Sequence, residues 1–186
     1  PPRIEAAVVQ LMTFLVENEE AALVVPARFL GQVHPHFREI QQVLAVTIAD
    51  EARHVDVFTR RATMTGGELG LSTSGGRASL QTLLDEPDFA VASFLLSVMG
   101  EGTFVSLLGF LERCAPDPVT QRVARLTCQD EARHVAFSLS HLERHARVEP
   151  GLTSRLAAAV QRRHDALRST SGLNDDVFDA LLAHPE

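Results

Sequence analysis

Residues 50–54 read Asp50-Glu51-Ala52-Arg53-His54, and the same five letters return at 130–134 as Asp130-Glu131-Ala132-Arg133-His134. Each copy is embedded in an apolar pattern of helical period. Positions three apart share one face of a helix, so Glu51 and His54 point together, and Glu131 and His134 do the same. A lone Glu-x-x-His is a weak signal, because a surface ion pair has that spacing too. Two copies, each central in a long amphipathic stretch, are a much stronger one.

Working outward, Ile4, Val8, Leu11, Leu15, Ala22, Val25 and Phe29 recur at helical spacing and predict helix A over about 3–30. A break at Gly31 to Pro35 leads to helix B, about 36–64, with Ile40, Val43, Leu44, Thr47, Ile48, Val55 and Phe58 near one face. The Gly- and Ser-rich stretch from Thr65 to about Glu86 reads as a long connection with one short helical turn at Ala78 to Leu84. Helix C runs from about Asp88 to Arg113. Ala115-Pro116-Asp117-Pro118 then turns the chain, with Asp117 as N-cap and Pro118 at the first helical position of helix D, which continues to about Arg147. Two shorter helices, about 152–169 and 175–183, complete the pattern. Nothing alternates with period two, so the expected class is all-α. Short, long and short connections between four long helices give two antiparallel hairpins joined by a crossover, which is the threading of a ferritin-like four-helix bundle, with additional C-terminal helices. Pro26 is expected to kink or rewind helix A.

Composition narrows the function classes. A chain of 186 residues with 45% hydrophobic content supports a single domain, 1–186, with its bundle over about 3–147. No stretch is read as a membrane span, and Pro1-Pro2-Arg3 does not open a signal peptide, so a cytoplasmic location is expected. The absence of an initiating Met is compatible with a piece of something longer. A formal charge of -7 gives no general attraction for nucleic acid or acidic membranes, and Gln161-Arg162-Arg163-His164 reads as a solvated helix face. Cys114 and Cys128 are expected to stay unpaired, because roughly 15 Å of helical rise separates them. Without Trp or Tyr, the chain acting alone has no tyrosyl radical and no phenolic proton donor.

If helices A and C each add one interior Glu, the set becomes four carboxylates and two imidazoles, the ligand inventory of a carboxylate-bridged di-iron or di-manganese bundle. Helix C offers Glu101, the only acidic residue between Phe89 and Leu111, with Met99, Phe104, Val105 and Leu108 as core-like neighbours. On helix A, Glu17, Glu19 and Glu20 compete. An offset of 80 superposes the two pentapeptides, and an offset of 81 matches Glu20 to Glu101, Phe29 to Phe110 and Leu30 to Leu111, which selects Glu20. Counting residues to the loop favours Glu17 instead. The spacing from Glu20 to Glu51, 31, resembles the 30 from Glu101 to Glu131 and favours Glu20. The plainer alternative, buried ion pairs without metal, costs several kcal/mol of desolvation per ion and sets four carboxylates against one another. Two divalent cations offset that charge directly. A metal-bound His usually donates its second N–H to a carboxylate. Asp50 and Asp130 are the candidates, each serving the His of the opposite helix, with Arg53 and Arg133 paired to them.

This pattern resembles the ferritin-like di-iron carboxylate superfamily, and the form Asp-Glu-x-Arg-His resembles its oxygenase and desaturase branch. The resemblance covers roughly 3–147 and implies Glu20, Glu51, His54, Glu101, Glu131 and His134 as metal ligands. It further implies two Fe ions, with Mn/Fe or Mn/Mn as variants, and a reaction in which O2 is activated and a small, largely apolar organic substrate is oxidised. A reductase or ferredoxin would supply electrons. The chain departs from the family in places. Its hydroxylases carry a Thr one turn after the helix C Glu, where this chain has Val105. Arylamine N-oxygenases carry an extra His four residues before a ligand Glu, where this chain has Thr47 and Thr127.

His141 and His145 continue the Glu131–His134–Ser138 face and read either as lining a proton or substrate path or as polar interior or surface residues. Gly100, Gly102 and Gly109 lower helix propensity, which suggests close packing or room beside the metal. A cavity there, near Phe94, Phe104, Val105, Leu108 and Phe58, would be apolar. Alternatives to an oxygenase are a ferritin-like iron-storage or ferroxidase protein and a non-enzymatic helical binding module. A homodimer is the default oligomer.

Overall fold

The computed structural model describes residues 2–70 and 74–167, and these are helical without strands. The expected helix at 175–183 lies outside the described residues. In order, the elements are α1 (Pro2–Leu30), a 3-10 turn (Pro35–Phe37), α2 (Arg38–Thr63), α3 (Ser74–Leu84), α4 (Phe89–Ser93), a π-helical segment (Phe94–Glu101), α5 (Gly102–Cys114), α6 (Pro118–Val148) and α7 (Leu152–Leu167).

Local chemistry sets the boundaries. Asp88 accepts from the Val91 N–H and starts α4, and Asp117 accepts from the Thr120 N–H with Pro118 behind it, starting α6. After α2 the chain turns at Gly66, whose φ of 85° favours glycine. It then lies back on α1, where the Gly70 N–H donates to Thr13 Oγ1 at 2.7 Å and a Cβ would collide with Gln10. Helix α1 is helical through Pro26. The departure from α geometry lies instead in Phe94–Glu101. Wider π turns shift the faces of that segment. Met99, expected in the core, is 44% exposed, while Leu95, Leu96, Ser97 and Glu101 are buried.

α1 and α2 pack antiparallel, with Glu5 meeting Arg61 at one end and Glu19 facing His54 midway. α5 and α6 pair likewise, Cys128 Sγ lying 3.6 Å from Val105 O, and both cysteines are free. Two apolar clusters hold these pairs together. One gathers Val8, Leu11, Leu15, Phe58, Leu108 and Ala124, and the other Val25, Phe29, Val91, Leu95, Leu96 and Ala159. Each fully buried Leu or Phe contributes about 1.5–3 kcal/mol. Between the clusters, near the middle of α1, α2 and α6, lies a buried polar layer.

Arg61 secures one end of the molecule. It is 2% exposed and donates to Glu5 through both Nη atoms, to Asp117 Oδ2 at 2.8 Å and to Thr120 Oγ1 at 2.6 Å. At the other end, Arg163 is not part of a solvated face. It is half-buried and donates to the Ser79 carbonyl, Ser79 Oγ and Thr82 Oγ1, fastening α7 to α3, and burial pushes its pKa down.

Among the described residues, Phe89–Cys114 is long and apolar enough to cross a membrane by length and composition, a test that a core helix also passes, and an 18-residue window within it has a mean hydropathy of 1.7. Its buried face carries Leu95, Leu96, Glu101, Leu108 and Leu111 toward the other helices.

Candidate metal centre

Four helices each bring acid or imidazole to the polar layer. α1 gives Glu19, α2 gives Glu51 and His54, the last residue of the π segment is Glu101, and α6 gives Glu131 and His134. All six are buried, with exposures from 0% to 5%. They form two groups whose possible ligand atoms lie within 4.8 Å of one another: Glu19, Glu51, His54 and Glu131, and Glu51, Glu101, Glu131 and His134. Glu51 and Glu131 belong to both. The two groups therefore share two carboxylates, while Glu19 with His54 and Glu101 with His134 are particular to one each.

The α1 residue corrects the sequence expectation. Glu20 is exposed, and Glu17 is half-buried and outside both groups, whereas Glu19 is 1% exposed with Oε2 3.6 Å from His54 Nδ1. The misleading signal was letter identity at an offset of 81. Burial aligns at 82, where Glu19 meets Glu101 and Phe29 meets Leu111, all four buried. The apolar series of α1 held the clue, since Leu15 and Ala22 leave a vacancy on their face that residue 19, four after one and three before the other, fills.

The histidines are oriented across the two hairpins. His54 Nε2 lies 3.2 Å from Asp130 Oδ2, and His134 Nε2 lies 3.3 Å from Asp50 Oδ2. Arg53 bridges Asp50 and Asp130, reaching the latter at 2.9 Å, and Arg133 reaches the same two carboxylates. With the Nε2 proton held by an Asp, each neutral ring presents its Nδ1 lone pair to the centre. Nδ1 of His54 is 3.1 Å from Glu51 Oε2 and 3.2 Å from Glu131 Oε1, and Nδ1 of His134 is 3.0 Å from Glu51 Oε1.

Proton affinities reflect crowding. Burial drives the Glu19 and Glu101 carboxyls well above the usual range, reinforced by the neighbouring Glu51 and Glu131 charges. Burial opposes charge on Glu51 as well, but hydrogen bonds from His134 and His54 outweigh it and hold the group at about 2. For the imidazoles, burial is outweighed by the surrounding carboxylates, which raise His54 to about 12 and His134 to about 11. Without metal, protons carry the positive charge that this site requires.

The residues present fit a metal pair on an independent criterion. The buried side-chain atoms without a hydrogen-bond partner among the described residues are Glu19 Oε1, Glu51 Oε1, both oxygens of Glu101 and of Glu131, and His134 Nδ1. Every one belongs to the cluster. Buried polar atoms are otherwise nearly always well bonded, so seven that converge on one point with only ion-pair contacts to one another could hold a cation.

Gly100, Gly102 and Gly109 leave room for a Cβ at ordinary contact distance. A Cβ on Gly100 or Gly102 would meet only carbonyls of its own segment, Leu95 O at 3.6 Å and Ser97 O at 3.9 Å, and one on Gly109 would meet Arg113. A cavity of about 30 Å³ touches His134 on the side of Val25, Leu44, Phe89 and Phe137. His141 packs against Phe89 and Phe137, with ring centroids at 5.2 and 6.2 Å, and burial lowers its pKa; His145 pairs with Glu149 at 2.8 Å.

No protein-family model, no curated protein and no solved structure matches the chain. The helical fold and its buried acid–histidine cluster, which could bind metal, are compatible with a ferritin-like fold.

Proposed function

We propose that this chain is an oxidoreductase of ferritin-like four-helix-bundle architecture that holds two iron ions, activates O2 and oxidises a small, largely apolar organic molecule. The observation that carries this reading is the pair of overlapping ligand groups sharing Glu51 and Glu131. Two sites that share carboxylates suit a dinuclear centre better than two independent ions, and oxygen and imidazole donors suit iron and manganese.

In this reading Glu19, Glu51, His54 and Glu131 would hold one metal, and Glu51, Glu101, Glu131 and His134 would hold the other. Asp130 and Asp50 fix the ring tautomers, and Arg53 and Arg133 hold those aspartates in place. When bound, the metal pair supplies the redox chemistry for reducing O2. For hydroxylation, one O2, two electrons and two protons convert a C–H to a C–OH and release one water. A reductase or ferredoxin provides the electrons. The apolar clusters on either side of the polar layer limit access of bulk water.

The test is metal content per chain in protein purified from iron- and manganese-supplemented cultures, beside the double variant Glu51→Ala, Glu131→Ala. Two metals per wild-type chain, lost in the variant, support the centre, and substrate-dependent O2 uptake with reductant separates an oxygenase from a protein that only oxidises Fe(II). Freshly purified wild type without stoichiometric metal sinks the reading.

A further inference from the structure

The cavity beside His134 has a chemical character of its own. Four hydroxyls face it from four elements: Thr47 on α2, Ser93 at the end of α4, Ser97 in the π segment and Ser138 on α6. Ser93 Oγ and Ser138 Oγ lie 3.1 Å apart and hydrogen-bond to each other, which leaves lone pairs on both. Thr47, 8% exposed, presents its hydroxyl to the same space. The remaining wall is apolar, formed by Val25, Leu44, Leu96, Phe89 and Phe137. Among the described residues lining it, none is Asp, Glu, Lys or Arg, and the one ionisable group, His134, has its Nε2 beside Asp50.

We infer that this cavity is the substrate chamber and that it selects a short, uncharged molecule with one hydrogen-bonding group, held by Thr47 and by the Ser93–Ser138 pair. The catalytic meaning of the chamber rests on the dinuclear oxidoreductase reading above. A cation is selected against because an ammonium placed here would be desolvated beside His134 with no carboxylate in the lining. Size is limited because a volume of 30 Å³ accommodates about two water-sized positions. Thr47 is therefore a specificity-determining residue rather than a packing one.

The test uses fluorine NMR titration of the metal-loaded and the metal-free protein with 2-fluoroethanol and with 2-fluoroethylammonium, which differ in charge and hardly in size. The alcohol is expected to bind saturably and the ammonium at least tenfold more weakly. The near-isosteric Thr47→Val is expected to weaken the alcohol about three- to tenfold, the range of one lost hydrogen bond, with metal content and helicity unchanged. Ser138→Leu, which fills the chamber, is expected to abolish binding. Equal binding of the two probes, or alcohol binding indifferent to both substitutions, overturns the inference. Two metals per chain without saturable alcohol binding overturns it alone and leaves the metal centre standing. Saturable, Thr47-dependent binding without stoichiometric metal supports the chamber and defeats the oxidoreductase reading.

Discussion

Replacing Glu19 by Leu, beside Glu20→Leu as the control, asks the sharpest question of the metal centre. Glu19 is 1% exposed on the face of α1 that carries Leu15 and Ala22, whereas Glu20 is exposed. With metal, Glu19→Leu removes the one carboxylate particular to the His54 group. Loss of a residue that merely orients a ligand lowers metal affinity about 10- to 100-fold, and loss of a ligand should exceed that. The expected result is one metal retained and the other weakened more than about 100-fold. Without metal the sign reverses. Burial raises the Glu19 carboxyl well above its unfolded value, so the folded protein binds a proton that the unfolded chain releases as pH rises. That linkage removes stability progressively above the unfolded pKa of 4.5, and the variant lacks the loss. His54 keeps Glu51 and Glu131 as partners in the variant, at 3.1 and 3.2 Å, so the imidazolium is not left uncompensated. Metal-free Glu19→Leu should therefore unfold at higher urea than metal-free wild type at pH 8, with the gap closing toward pH 4.5. Metal analysis with a competing chelator and urea denaturation read both effects. If Glu19→Leu kept two tightly bound metals, or Glu20→Leu lost one, the assignment would be refuted.

Other consequences follow from the same geometry. Asp50→Asn and Asp130→Asn should each weaken metal binding about 10- to 100-fold by equilibrium dialysis, because each frees the Nε2 of one histidine. Loading metal at pH 7 should release at least two protons per pair, from His54 and His134, which the surrounding carboxylates raise to about 12 and about 11. Calorimetry in buffers of different ionisation enthalpy counts them, and a count near zero would contradict the protonated metal-free centre. Arg61→Met should cost about 3 kcal/mol in urea denaturation at pH 7, the low end for breaking a buried pair because Glu5 and Asp117 are partly exposed. Both carboxyls are held below their ordinary values of 4.5 and 3.8, Glu5 by Arg61 and Asp117 by Thr120 and Arg61 against its burial. That contribution is present above the unfolded values and fades as pH falls through the folded ones, so wild type and variant should converge below about pH 4.

The sequence made the helices and five of the six clustered residues legible for identifiable reasons. Helical period, Pro118 and the Asp caps are local signals, and the Glu-x-x-His spacing places its two side chains together without tertiary information. Glu101 stood out because apolar neighbours surround it. Glu19 was obscured by two acidic competitors within three positions, and identical letters at the wrong offset outweighed the vacancy in the apolar series. The π segment was also hidden: it depends on how Phe94–Glu101 settles against α6, and Gly100 and Gly102 hinted at irregularity without saying which kind. The cavity near Thr47 is defined by five elements at once, which no linear pattern reports.

The crossing of Asp130 to His54 and of Asp50 to His134 has a consequence for how the chain could be divided. Each half, α1 with α2 and α4 through α6, owns three of the six buried ligand candidates, but the carboxylate that orients each histidine belongs to the other half. Neither half is a smaller copy of the centre. Cut within the connection between α2 and α3, the two fragments would behave as a complementing pair whose reunion depends on metal, each a poor chelator alone and a good one together.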